Sequence, residues 1–152
     1  FHIDGVAGEQ VEIKVSLNHG QELQPLRKVA SGGELARTTL AARLVLSTEP
    51  ETLIFDEVDA GIGGQTALEV GNCLKELSTD RQVLVVTHLA QVASYADTQI
   101  QVVKEENKGR PSITVRTLDK DQRVVEISRM LSGSPDSENA QKHANELLEN
   151  AH

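Results

Sequence analysis

The sequence predicts an α/β fold: a mainly parallel sheet with flanking helices and, further along, a β-hairpin. Three observations predict it. Leu53-Ile54-Phe55 and Val83-Leu84-Val85-Val86-Thr87 are short, nearly continuous apolar runs, the pattern of strands buried in a parallel sheet. Between them, residues 65–78 place Ala67, Val70, Leu74 and Leu77 on one helical face, so strand, helix and strand form a βαβ crossover. Finally, residues 100–104 and 112–118 read as strands around Asn107-Lys108-Gly109-Arg110-Pro111, a hairpin.

Taken in order, Val11-Glu12-Ile13-Lys14-Val15-Ser16-Leu17 alternates apolar and polar residues and predicts a half-buried strand. Asn18-His19-Gly20 reads as a turn and residues 21–30 as a loop containing Pro25. A helix is expected from Ser31 to about Ser47. Ser31 and Glu34 have the spacing of a capping box, and Leu40, Ala41, Leu44 and Val45 supply its apolar face. Pro50 separates it from a strand at 53–56. Gly61-Ile62-Gly63-Gly64 leads into the helix at 65–78, where Cys73 neighbours the apolar face as a small core residue. A short helix from about Leu89 to Ala96 follows the second apolar strand. Two helices close the chain, one with Val124, Ile127 and Leu131 on one face, the other at 138–149 with Ala140, Ala144, Leu147 and Leu148. Ser132-Gly133-Ser134-Pro135 breaks between them.

The whole of 1–152 fits a single domain, and a chain of this size buries roughly 68–70% of its unfolded surface. Its core is aliphatic, with no Trp, one Tyr and two Phe. A net charge of -8 argues against a surface given over mainly to nucleic acid, because phosphate binding needs clustered Lys and Arg. Arg27, Lys28, Lys104, Lys108 and Arg110 are the candidates for such contacts. One cysteine allows no internal disulfide and fits a reducing, cytoplasmic setting. No apolar run reaches the ~18 residues of a membrane span. The first residue is Phe1 rather than Met, so the expectation is a piece of a longer chain.

Three features bear on chemistry. Ser31-Gly32-Gly33-Glu34 opens a helix, Asp56 and Glu57 end one apolar strand, and His88 ends the next. Each has a plain structural reading: a helix cap, a solvated strand end, a surface histidine. Ligands in open α/β sheets nevertheless bind at the carboxyl ends of strands, which is where the acidic pair and the histidine fall.

In this order the three resemble one family. Val29-Ala30-Ser31-Gly32-Gly33-Glu34-Leu35 resembles the signature motif of ABC-type ATPases, and Leu53 to Glu57 their Walker B strand. Val58-Asp59-Ala60-Gly61 resembles the D-loop, and Thr87-His88 the switch histidine. Asp56 to Gly64, Val29 to Arg37 and Thr87 to Ala93 are similar to the RecN family of SMC-like bacterial DNA-repair proteins. Ala36, Ala60 and Gly63 are small departures from its commonest spelling. Transporter subunits typically carry Pro after Asp-Glu and Gln after Ser-Gly-Gly, where this chain has Val58 and Glu34.

The resemblance implies an ATP- and Mg²⁺-dependent hydrolase. Asp56 would hold Mg²⁺, through water, and Glu57 would orient or deprotonate the attacking water. His88 would donate to the γ-phosphate. Ser31, Gly32, Gly33 and Glu34 would reach the γ-phosphate bound by a second head, with Asp59 at the same dimer seam. No Gly-x-x-x-x-Gly-Lys-[Ser/Thr] stretch is present. In SMC-like proteins that loop lies in the N-terminal lobe beyond a coiled coil, so the expected fold is the C-terminal lobe of an ABC/SMC-type head. Its expected partners are the N-terminal lobe, a second copy of the head, and DNA through the whole protein, with no membrane. The alternatives are another SMC-type chromosome ATPase, which the Gly61-Ile62-Gly63-Gly64 run speaks against, and an interaction module with decayed motifs, which Asp56, Glu57 and His88 speak against.

Overall fold

A computed structural model describes residues 2–3, 6–7, 12, 14–16, 20, 22–25, 32–45, 51–107, 110–135 and 137–151. The described strands form four pairs. β1 (His2–Ile3) lies antiparallel to β2 (Val6–Ala7), and β3 (Lys14–Val15) antiparallel to β4 (Gln24–Pro25). The strand expected over 11–17 is therefore short: Glu12 and Ser16 are described and are not in a strand. Pro25, expected in a loop, is paired with Lys14. It has no N–H to give to a ladder, so it is tolerated in a short edge pairing such as this.

α1 (Gly32–Val45) is the helix expected from Ser31, and the Ser31 cap itself lies outside the described residues. β5 (Thr52–Phe55), α2 (Gly64–Leu77) and β6 (Gln82–Val85) form the expected βαβ unit. The two strands are parallel, in the register Leu53↔Val83, Ile54↔Leu84, Phe55↔Val85, extended by Val86 N–H to Phe55 O at 2.9 Å. One side of the pair is covered. Leu53 and Phe55 join Leu40, Val58, Ala67, Val70, Leu74, Leu77 and Val92 in the main core. The other side is bare: Ile54 is 72% exposed and Val86 62%. Parallel sheets are normally covered on both faces.

Among the described strands the parallel part of the sheet is confined to this pair, because the described chain has only one complete βαβ crossover. α3 (Ala90–Ala93) is a single turn of helix rather than the span expected over 89–96, and turn hydrogen bonds carry the chain on to Ala96. β7 (Ile100–Asn107) and β8 (Arg110–Thr117) make the expected hairpin, with Val102 opposite Val115.

α4 (Lys120–Ser132) begins with a capping box the sequence reading missed: Gln122 N–H donates to Asp119, and the Gln122 side chain accepts from Asp119 N–H. It ends at Gly133, whose φ of 72° is the left-handed value favoured by glycine at a helix end. α5 (Glu138–Asn150) is capped by Ser137. The two helices enclose a second core of Ala90, Ala93, Ile127 and Ala144. Arg123 ties this part to the end of α3 by donating to Ala96 O at 2.8 Å. Cys73 packs beside the main core, as expected. Burial pushes its thiol pKa up, with Glu76 and Glu69 adding to the shift. The described residues contain no helix long and apolar enough to cross a membrane.

Candidate active site

The two parallel strands end side by side, so whatever follows Phe55 and Val85 shares one edge of the sheet. After β5 the chain makes a tight turn, with Ala60 N–H donating to Glu57 O at 3.1 Å and Ile62 N–H to Asp59 O at 3.4 Å. Val58 is fully buried in the main core and anchors the turn. Asp56 and Glu57, on its outer side, are exposed.

Glu57 has φ of 57°, the single non-glycine residue with positive φ among those described. A non-glycine residue in this region costs of order 1–3 kcal/mol and persists only where its surroundings hold it. Here Val58 and the Ala60 hydrogen bond hold it. Gly61 (φ 73°) and Gly64 (φ 54°) take the other left-handed positions that lead the chain into α2.

Asp59 is 2% exposed and its carboxylate turns inward. It accepts from the Thr87 hydroxyl and from His88 N–H at 3.1 Å, and His88 Nδ1 lies 3.2 Å from the same oxygen. The partly buried turn after β6 has donors to satisfy, and Asp59 is the carboxylate that reaches them. Thr87 completes the chain by accepting from Leu89 N–H at 3.1 Å. The His88 ring is 72% exposed. With Nδ1 on Asp59, Nε2 is the nitrogen left to meet a ligand.

The first turn of α1 packs onto the same loop. Gly33 is buried, and a Cβ there would lie 2.5 Å from Ala60 O. Only glycine allows that approach. Gly32 is the first residue of α1, while Ser31 and the Glu34 side chain lie outside the described residues. Thus Gly33, the Asp56–Asp59 turn and His88 come together. Sequence reasoning places Thr87 and Arg37 inside the Thr87–Ala93 and Val29–Arg37 stretches but assigns neither a role of its own; Arg37 donates from α1 to Ala60 O at 2.9 Å. Arg37 stands one turn beyond Gly33.

Among the described residues, no group of three or more His, Cys, Asp and Glu could hold a metal ion. Mg²⁺ needs only one or two carboxylates and keeps waters and phosphates as its other ligands. Asp56 and Glu57 offer hard carboxylate oxygens, and neither carboxylate takes part in a hydrogen bond or ion pair among the described residues.

No protein-family model matches the chain. Individual proteins do. It is 47% identical over 145 residues to the DNA repair protein RecN of Streptomyces coelicolor, covering 94% of this chain and 25% of that protein. It is 51% identical over 138 residues to RecN of Deinococcus radiodurans, covering 91% and 24%. The chain belongs to the RecN family. A third member, RecN of Vibrio cholerae, is 44% identical over 149 residues, 97% of this chain and 27% of that protein. The chain thus spans about a quarter of the length of the curated RecN proteins it matches. The match to the Deinococcus RecN leaves out few of the 152 residues, so it takes in both strand ends of the site. The fold is also that of a solved SMC ATPase chain, from work on ATP-driven dimerisation and DNA-stimulated activation of SMC ATPases. The TM-score is 0.54 at 23% identity, covering 74% of this chain and 68% of that one.

Proposed function

We propose that this chain is the C-terminal lobe of the ATPase head of a RecN-type protein, and that the whole protein couples ATP hydrolysis to head engagement in DNA double-strand-break repair. The observation that carries this reading is the Asp59 carboxylate, which ties the end of β5 to the end of β6. It holds the turn bearing Asp56 and Glu57 beside His88, on the edge of the sheet where α/β proteins bind ligands.

In this reading Glu57 orients or deprotonates the attacking water, and His88 donates from Nε2 to the γ-phosphate. Asp56 would hold Mg²⁺, through water, and the ion would supply positive charge beside the phosphates. Gly32 and Gly33, with Ser31 and Glu34, present the amino end of α1 to the nucleotide of a second head. The carboxylate of Asp59 acts within its own lobe, on Thr87 and His88, while the loop around it lies at the seam. Phosphoryl transfer depends on such positioning more than on covalent chemistry.

The partners follow from what the lobe leaves open. The bare apolar side of the parallel pair, with Ile54, Leu84 and Val86, suits the N-terminal lobe that brings the phosphate loop. The second partner is another head, and DNA is met through the full-length protein, in the cytoplasm at the nucleoid. The expected result is that the isolated lobe shows no Mg²⁺-dependent ATP turnover, and that turnover appears when it is co-expressed with the N-terminal part of the same protein. Robust turnover by the lobe alone, abolished by Glu57→Gln, would contradict the division into lobes.

A further inference from the structure

The Glu57–Ala60 turn is gripped from two sides. On one side the Asp59 carboxylate takes Thr87 and His88. On the other, the Arg37 guanidinium from α1 donates to Ala60 O at 2.9 Å and lies 3.4 Å from Val58 O, the carbonyls that flank Asp59. Both contacts come from the same nitrogen, Nη1. Arg37 is half-buried, and Gly33, one turn earlier on α1, lets the helix come close enough for the guanidinium to reach. A Cβ at Gly33 would sit 3.0 Å from that nitrogen as well as against Ala60. Ala60 in turn donates to Glu57 O, so Arg37 acts one hydrogen bond away from the residue held at positive φ.

We propose that Arg37 is a positioning residue for hydrolysis in its own chain: by holding the Ala60 and Val58 carbonyls it keeps Glu57 in its left-handed conformation and Asp59 turned toward His88. It thereby links the amino end of α1, which faces the second head, to the groups that act on the nucleotide of its own head. The inference rests on the reading of the site given above. The physical case is that Glu57 needs its surroundings to hold it. A charge-assisted hydrogen bond to a carbonyl is stronger than a neutral one, and the bond from Arg37 acts on the residue that closes the turn.

The test uses the full-length protein. Arg37→Met keeps the stem and removes the donor. It is expected to lower kcat about 10- to 100-fold, the scale of a small misplacement of a reacting group, with nucleotide affinity close to wild type. Because both contacts come from one nitrogen, Arg37→Lys is expected to restore part of the rate. Arg37→Gln, whose amide stops short of Ala60, replaces the methionine if that variant does not fold. Mixed with Glu57→Gln chains, Arg37→Met chains should gain nothing over their own residual rate: the site with an intact Glu57 is then the one whose own Arg37 is missing. Wild-type kcat in a folded Arg37→Met or Arg37→Gln protein, with only the melting temperature lowered, would make Arg37 plain packing and overturn the proposal. Recovery of activity in the mixed dimers would overturn its assignment to its own chain. Glu57→Gln alone is the control for the underlying reading. If it hydrolyses ATP normally, the site itself is misread. If it is dead while Arg37→Met is normal, only the role of Arg37 fails.

Discussion

Full-length protein carrying Glu57→Gln should bind ATP and Mg²⁺ but hydrolyse the nucleotide about 10²–10⁴-fold more slowly, the usual loss with a positioned general base. The amide keeps the shape of the side chain and leaves Asp56 to hold the metal, so the ATP-bound, engaged state should accumulate. Near-normal turnover would contradict the assignment. Glycine at the same position separates backbone from carboxylate. Glu57 is exposed and has φ of 57°, so Glu57→Gly relieves left-handed strain and loses no packing. The relief, partly offset by the greater freedom of glycine in the unfolded chain, should leave a net gain of about 1 kcal/mol. Catalysis should be lost while the melting temperature rises. A lower melting temperature would mean that the backbone there is unstrained and that the side chain supports the fold.

The second large effect is expected at Ser31, immediately before α1. If Ser31 only caps the helix, Ser31→Ala should cost roughly 0.5–2 kcal/mol of stability and leave catalysis nearly intact, and Ser31→Asp should be harmless because aspartate is a good cap. If Ser31 meets the γ-phosphate of a second head, Ser31→Asp sets like charges together in a seam with little water, where screening is weak. The account predicts a Ser31→Asp protein that folds well and binds ATP in its own site yet fails to engage heads and hydrolyse. Melting temperature, nucleotide affinity and the dependence of rate on protein concentration separate the two cases.

The βαβ unit was legible because its signal is collective. Several apolar residues in each strand and four at helical spacing in α2 all agree, and the parallel register follows from the crossover. The hairpin was legible from its turn residues. The stretch around β3 was not, because alternation in Val11–Leu17 speaks of one apolar face and not of how much partner strand is available. At the site, the positions of Asp56, Glu57 and His88 at strand ends could be read directly. The conformation of Glu57 could not, since glutamate has no preference for positive φ and the turn imposes it. Nor could the direction of Asp59. In sequence it lies in the stretch that resembles a D-loop, and it is buried where Thr87 and His88, 28 and 29 residues later, bring donors to it. Gly33 was read only as an approach to phosphate, whereas it also makes room for Ala60.

The central claim is that a working site needs Glu57 of one chain and the amino end of α1 from another. The most direct measurement is ATP turnover by a mixture of Ser31→Asp and Glu57→Gln full-length proteins, each inactive by itself. In a mixed dimer one composite site joins the intact Glu57 of the first chain to the intact Ser31 of the second. The account predicts that turnover returns on mixing and rises with the fraction of mixed dimers. A mixture that forms mixed dimers and stays as inactive as its components would contradict it.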